Sequence, residues 1–349
     1  GVAARNRPLG GWGDAQFFAP TLVGVLHFNG RLEFHTLPSF SLENFLVSFR
    51  EWDTVSLPTT GLATTGLEFA AVESPQEYLD AVSALKGHIQ RGDIYEVNYC
   101  TAFTAALPKS CDLRGLWLDF IEKTRAPFSA WLQLGDKQVL SVSPERYLQR
   151  TGSRLCSQPI KGTNRTLDGA ANEHQQQALR SSVKERAENV MIVDLVRNDL
   201  SRVASRGSVR VSELFGVYAF KNVNQMISTV ECELREGATN WDVVGATFPM
   251  GSMTGAPKVS AMNLADRYEK TARGVYSGAI GYIEPNGDFD FNVVIRSLAV
   301  DRTAEVVTCH VGSAITALSD AEEEYRECLL KAESLLGVMD PFQKAPEKS

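Results

Sequence analysis

Two side chains in this 349-residue chain have the types and spacing for acid–amine chemistry. They are Glu145 in Ser143-Pro144-Glu145 and, 16 residues on, Lys161 in Pro159-Ile160-Lys161-Gly162-Thr163. Between them, Tyr147–Arg150 and Arg154–Ser157 read as short strands around a turn at Thr151-Gly152-Ser153. A turn centred on Ser153 sets Glu145 opposite Lys161, with Cβ atoms about 5 Å apart. The neighbouring prolines have no N–H for a ladder, so pairing is expected to open there. Alone, the pattern reads best as a cross-strand ion pair on an exposed hairpin.

Other segments carry similar weak signals. Glu185 and Glu188 are three apart in Lys184–Asp194 and share a helix face, as do Glu327 and Lys331, four apart in Glu322–Lys331. Two carboxylates on separate elements, without His or Cys, suit Mg²⁺, which keeps waters or substrate oxygens. Helices this charged are more often solvated faces. Pro249–Lys258 and Gly312-Ser313-Ala314-Ile315-Thr316 are small-residue loops. The first is no Walker A, because its spacing is wrong and a proline replaces a cradling N–H. Either loop has N–H groups that can bind a carboxylate. In Ile94–Cys100, Glu96 and Asn98 alternate onto one face, so Glu96 can accept hydrogen bonds there. Arg296 ends an apolar strand, where a guanidinium is either at its solvent end or a carboxylate clamp. Tyr276 is either core or a hydroxyl donor.

The elements that must position these groups follow from periodicity and caps. Ser74-Pro75-Gln76-Glu77 is a capping box that opens a helix to about Gln90. Strands are expected at 94–103, 130–134, 138–142, 208–214, 221–232, 275–283, 288–300 and 305–312. Helices are expected at about 112–123, 240–248, 258–271 and 319–336, with a long polar helical stretch from 169 to 197. Residues 1–73 are less regular, with short strands near 21–26 and 31–34, a loop at 56–67, and a frayed tail at 344–349. Grouped strands with hairpin-length connections favour α+β with antiparallel sheets.

With 44% apolar residues and a formal charge of −7, the chain can bury a large core and has no basic cluster for nucleic acid. No run of about 18 apolar residues suggests a membrane span. The start, Gly1–Asn6, lacks the blocks of a signal peptide. The 6 cysteines form no CxxC pair, which suits free thiols in a reducing, cytoplasmic setting.

Together these segments resemble the chorismate-utilising enzyme family over about residues 74–337. The matching motifs, in order, are Tyr95–Asn98, Ser143–Arg146, Pro159–Thr163, Glu185–Asp199, Gly251–Lys258, Tyr276–Gly281, Ile295-Arg296, Gly312–Thr316 and Glu324–Lys331. The resemblance implies an α+β fold of two large, mostly antiparallel sheets packed together with helices outside. A catalytic domain would span 74–340, with 1–73 a strand-rich part of the same fold.

The family's site implies that Glu188 and Glu327 hold Mg²⁺, which binds the ring carboxylate of chorismate. Lys331, Gly162, Thr163, Gly312 and Ser313 would complete that carboxylate's site. Arg296 and Tyr276 would hold the enolpyruvyl carboxylate near Thr254, and Glu145 would protonate the departing C4 hydroxyl. Water-activating members have lysine where this chain has Glu96, and ammonia-using members glutamine. Lysine in the Pro-Ile-X-Gly-Thr motif resembles the aminodeoxychorismate synthase component I branch, where it is thought to attack C2. Such an amine must lose its proton; burial and Mg²⁺ favour that, and an ionised Glu145 opposes it. The family usually has a second glycine at Ser313.

The expectation is therefore amination of chorismate to 4-amino-4-deoxychorismate in the para-aminobenzoate branch of folate synthesis. Ammonia would come from a separate glutamine amidotransferase subunit. The alternatives are anthranilate synthase component I chemistry and a non-catalytic chorismate-binding protein.

Overall fold

Helix α1 (Pro75–Gln90) shows how local sequence starts an element in this computed structural model, which describes residues 22–26, 32–36, 66–221 and 223–336. The Glu77 carboxylate accepts the Ser74 N–H at 2.8 Å, and Ser74 Oγ accepts the Glu77 N–H at 3.3 Å. Both orphan donors of the first turn are thus satisfied. The expected loop at 56–67 falls outside the described residues except for its last two, and the tail at 344–349 falls wholly outside.

The strands form two antiparallel sheets among the described residues. The seven-stranded sheet runs β12 (Gly255–Ala256), β4 (Glu96–Ala106), β16 (Val306–Ile315), β15 (Ser297–Asp301), β6 (Lys137–Ser143) and β5 (Phe128–Leu134), with β3 (Ala70–Ala71) also on β4. The nine-stranded sheet begins β10 (Arg210–Ala219), β11 (Val223–Glu233), β8 (Arg154–Gln158) and β7 (Arg146–Thr151). It continues β14 (Phe289–Val293), β13 (Ala279–Ile283), β1 (Leu22–Leu26) and β2 (Leu32–Thr36), with β9 (Ile160–Arg165) also on β11.

Strand β4 is buried on both faces, and alternation sends its residues to different surroundings. Val97, Tyr99 and Phe103 pack with Val82 and Leu85 of α1, with Leu116 and Phe120 of α2 (Leu113–Thr124), and with Ala261 of α6 (Lys258–Tyr268). Leu329 and Ala332 of α7 (Ala321–Leu336) join the same cluster. Cys100 points the other way, into a cluster with Leu148, Leu155 and Val230 of the second sheet and Ile192 and Val196 of α4 (Val183–Ser201). Val139 of β6 also meets Ile280 of β13. The two sheets therefore pack against each other, with helices on their faces.

Three sequence expectations are corrected. The polar stretch 169–197 is two helices, α3 (Ala170–Ser181) and α4, because Ser182 caps α4 by accepting the Glu185 N–H. The expected strand 288–300 is two strands in different sheets, β14 and β15. The chain changes sheets at Arg296, whose φ of 51° is in the left-handed region, a conformation costing about 1–3 kcal/mol outside glycine. The third concerns Glu145 and Lys161. The hairpin turn forms, but with Thr151 opposite Arg154 and Arg150 opposite Leu155, and the register slips again between Gln149 and Arg146. Past Pro159 the chain leaves β7, and β9 pairs with β11 instead, Ile160 opposite Ile227 and Thr163 opposite Gln225. Glu145 and Lys161 are not ladder partners.

Candidate active site

Lys161 is carried out of the hairpin by β9, which pairs with β11 in the nine-stranded sheet. Its side chain reaches across to β4 of the other sheet, where Nζ lies 3.3 Å from Glu96 Oε1. The lysine side chain is 12% exposed and Glu96 only 1%. Glu96 faces this way because β4 alternates and its odd residues fill the core under α1. Glu96 Oε2 has no hydrogen-bond partner although it is buried. Burial pulls the lysine pKa down, but Glu96 and Glu188, with Glu327 beyond, outweigh it and hold the ammonium well above its ordinary range. The main charges that oppose deprotonation of Lys161 are these three acids.

Glu145 sits just before β7, its carbonyl accepting the Val293 N–H at 3.0 Å. Burial pushes its pKa up to about 7, against the Ser252 hydroxyl, Lys161 and the Ile160 N–H, which favour the ionised form. A carboxyl poised there can give up a proton near neutral pH.

Helices α4 and α7 bring three more acids to Lys161. Burial raises Glu188 to about 7, with Glu185 and Glu96 adding to the rise and Lys161 opposing it. Burial and then Glu327 raise Glu185. Burial would raise Glu327 too, but Lys331, Lys161 and Lys184 together leave it below its ordinary value. Lys331 Nζ is 2.5 Å from Glu327 Oε1. Among the described residues no group of three or more His, Cys, Asp or Glu side chains gathers as a metal site. The carboxylates of Glu188 and Glu327, from two different helices and both near Lys161, are the donor type Mg²⁺ takes, and that ion needs few protein donors.

Gly162 has φ +93°, and a Cβ there would lie 2.9 Å from Glu185 Oε2 and 3.2 Å from Leu179 Cδ1. Both the backbone and the close approach to α4 demand glycine. Gly162→Ala is expected to destabilise the chain by roughly 1–3 kcal/mol. A lowered midpoint of thermal unfolding checks this; an unchanged midpoint contradicts it.

On the other side, Lys331 Nζ donates to the Gly312 carbonyl at 2.8 Å, and Arg296 Nη1 donates to the Lys331 carbonyl at 2.6 Å. A Cβ on Gly312 would meet Cys100 Sγ at 2.8 Å, so glycine lets β16 lie against β4. Ser313, one residue on, faces the opposite side, where its hydroxyl lies 2.9 Å from the Tyr78 hydroxyl. Its side chain is packed under α1, away from the Gly312 face. Tyr276 stacks on His310 with centroids 5.3 Å apart and lies close enough to Arg296 to favour its charge. Burial lowers the Arg296 pKa.

Thr254 is buried, and its hydroxyl donates to the Met250 and Gly251 carbonyls, each at 3.2 Å. Thr163 is exposed on β9. Thus Lys161, Glu96, Glu145, Glu188 and Glu327 share one electrostatic neighbourhood, and Lys331 links them to Gly312 and Arg296. Thr254 is spent on its own turn, and Ser313 on the core. Ser252, Glu269 and Arg273 also belong to this region and were missed, whereas Glu185 was read only as the neighbour of Glu188 on its helix face. Glu269 and Arg273 are four apart, and their i,i+4 spacing is the one local signal that joins them.

A model of the family described as chorismate binding enzyme matches residues 31–337, and this chain belongs to that family. It is 39% identical over 284 residues to an aminodeoxychorismate synthase component 1 of Klebsiella aerogenes, covering 80% of this chain and 61% of that protein. It is 42% identical over 264 residues to an aminodeoxychorismate synthase of Streptomyces pristinaespiralis, covering 75% of this chain and 36% of that one. An anthranilate synthase component 1 of Haloferax volcanii is 37% identical over 274 residues, 78% of this chain and 51% of that protein. The chain thus spans between 36% and 61% of the length of these relatives. The crystal structure of anthranilate synthase component I from Streptococcus pneumoniae shares the fold, with TM-score 0.77, 24% identity, and coverage of 90% of this chain and 80% of that one. No helix among the described residues is long and apolar enough to cross a membrane.

Proposed function

We propose that this chain aminates chorismate to 4-amino-4-deoxychorismate, with ammonia supplied by a glutamine amidotransferase partner in a reducing, cytoplasmic setting. The observation that carries this reading is the buried Lys161–Glu96 pair beside a Glu145 poised near neutral pH. The relatives named aminodeoxychorismate synthase support the product. Lys161 first passes a proton to Glu96. Its Nζ then attacks C2, the ring double bonds shift, and the C4–O bond breaks as Glu145 protonates the leaving hydroxide to water. Ammonia attacks C4, the double bonds shift back, and the C2–Nζ bond breaks. Lys161 recovers its proton from Glu96, and Glu145 recovers its own from the ammonium formed at C4.

Glu188 and Glu327 would hold Mg²⁺, which when bound neutralises the substrate's ring carboxylate and the acids around Lys161. Arg296 and Tyr276 hold the second carboxylate, and Lys331 and Gly162 border the first. Glu188→Gln is expected to weaken Mg²⁺ binding at least about tenfold, as loss of a ligand does; calorimetric titration with MgCl₂ checks it, and an unchanged affinity removes Glu188 from the ligand set.

Mass spectrometry of the product from chorismate, MgCl₂ and ammonium chloride tests the activity. Accumulation of 4-amino-4-deoxychorismate supports the reading, and anthranilate without it overturns the reading. Addition of a glutaminase with glutamine in place of ammonium tests the partner.

A further inference from the structure

Arg273 precedes β13 and is 4% exposed. Its Nε and Nη2 meet the Glu269 carboxylate at 2.9 and 2.6 Å. Its remaining donors go to backbone on two other segments, Nη1 to the Met253 carbonyl and Nη2 to the Asn98 carbonyl, both at 2.7 Å. Nη1 also reaches the Ser277 hydroxyl at 3.2 Å, and the Glu269 carboxylate accepts the Cys100 N–H at 3.0 Å. Each contact adjoins a group of the site. Met253 follows Ser252, whose hydroxyl lies near enough to the Glu145 carboxyl to favour its ionised form. Asn98 is two residues from Glu96, Ser277 follows Tyr276, and Cys100 abuts Gly312.

The loop carrying Ser252 meets β4 in a short ladder, where the Tyr95 N–H also donates to the Ala256 carbonyl at 2.7 Å. The β12–β4 ladder holds two residue pairs, Gly255 opposite Val97 and Ala256 opposite Glu96, and the Asn98 N–H donates to the Thr254 carbonyl at 2.8 Å. A planar guanidinium held by a carboxylate bridges two carbonyls along directions fixed by its plane, whereas the three donors of an ammonium rotate. Arg273 thus adds a side-chain tie between the two segments beyond that ladder.

We propose that Arg273, locked by Glu269, is a positioning residue that fixes the Glu145–Ser252 acid relative to the Glu96–Lys161 pair without touching substrate. This inference rests on the amination reading above. Misplacement of reacting groups by about 1 Å costs on the order of 100-fold in rate.

The test compares the parent chain with Arg273→Lys, Ser252→Ala and the double variant, using chorismate, MgCl₂ and ammonium chloride. Arg273→Lys, which keeps the charge on Glu269, is expected to lower kcat by about 10- to 100-fold while KM for chorismate changes little. The double variant should be no slower than the slower single one, because the two residues act as a unit. An unchanged kcat, a loss confined to KM, or fully multiplicative losses would each overturn the proposal. Should Arg273→Lys not fold, Glu269→Gln, which keeps size and one acceptor, must give the same kcat loss. Failure of both to fold makes the pair a folding element and overturns the proposal. A parent chain that makes anthranilate sinks the amination reading yet leaves the kcat comparison intact, whereas a parent inert toward chorismate sinks both.

Discussion

Lys161→Ala is expected to lower 4-amino-4-deoxychorismate formation by roughly 10³-fold or more, about 4 kcal/mol in the barrier, leaving only slow direct amination. The substitution has a second effect that must be separated from the first. Glu96, 1% exposed, loses the cation 3.3 Å away. Breaking a buried pair in this way costs about 3–5 kcal/mol of stability. The double variant Lys161→Ala, Glu96→Gln removes the stranded charge, so its thermal midpoint should recover towards that of the parent. Its turnover should not recover. Product quantified by mass spectrometry, alongside thermal melting, separates the two effects. A folded double variant that aminates chorismate at the parent's rate rules out Lys161 as nucleophile.

The second large effect belongs to Glu145→Gln. Glutamine cannot donate a proton to hydroxide, and loss of a general acid typically costs 10²–10⁴-fold. The acid form of Glu145 is present below its pKa of about 7 and is lost above it. In the parent, kcat/KM should therefore decline on the alkaline side from about pH 7, and Glu145→Gln should abolish that limb. Stability should change in a linked manner. The folded-state pKa is raised above the ordinary 4.5, so the unfolded chain releases this proton first. The parent therefore loses stability from this group as pH rises from about 4.5 to 7, and Glu145→Gln does not. Melting measured at pH 5 and pH 8 should show the variant gaining on the parent at the higher pH. A parent profile with no alkaline limb, together with equal pH dependence of melting, refutes the assignment.

Local signals carried further than long-range ones. The capping box at Ser74 starts α1 one residue on, as read, and the expected α+β class with two antiparallel sheets is the fold observed. The break at Ser182 had its own signal, Ser182 followed by Glu185, but it was hidden inside a run of good helix formers. The sheet change at Arg296 had none, because a left-handed arginine leaves no glycine or proline to mark it. The error at Lys161 is instructive. Turn geometry predicts a partner only while the ladder continues, and the proline that was expected to open the pairing instead releases β9 to a different strand. Glu96 and Lys161, 65 residues apart in sequence, meet only through sheet packing. Likewise, Ser313 faces the core because β16 alternates, and Arg273 finds its two backbone partners, the Met253 and Asn98 carbonyls, only when other segments pack against it.

The order of strands along the chain has a consequence for how such a site can come into being. The seven-stranded sheet takes strands from 70 to 315 and the nine-stranded sheet from 22 to 293, so the two are interleaved along the backbone. A cut anywhere between Glu96 and Val293 divides both sheets at once. Neither half would keep a sheet whole, and the lysine and its acids lie on opposite sides of most such cuts. Closing loops this long comes late and slowly in folding, so the proton-handling groups meet only when the molecule is nearly assembled. No fragment made by a cut between Glu96 and Val293 inherits the chemistry.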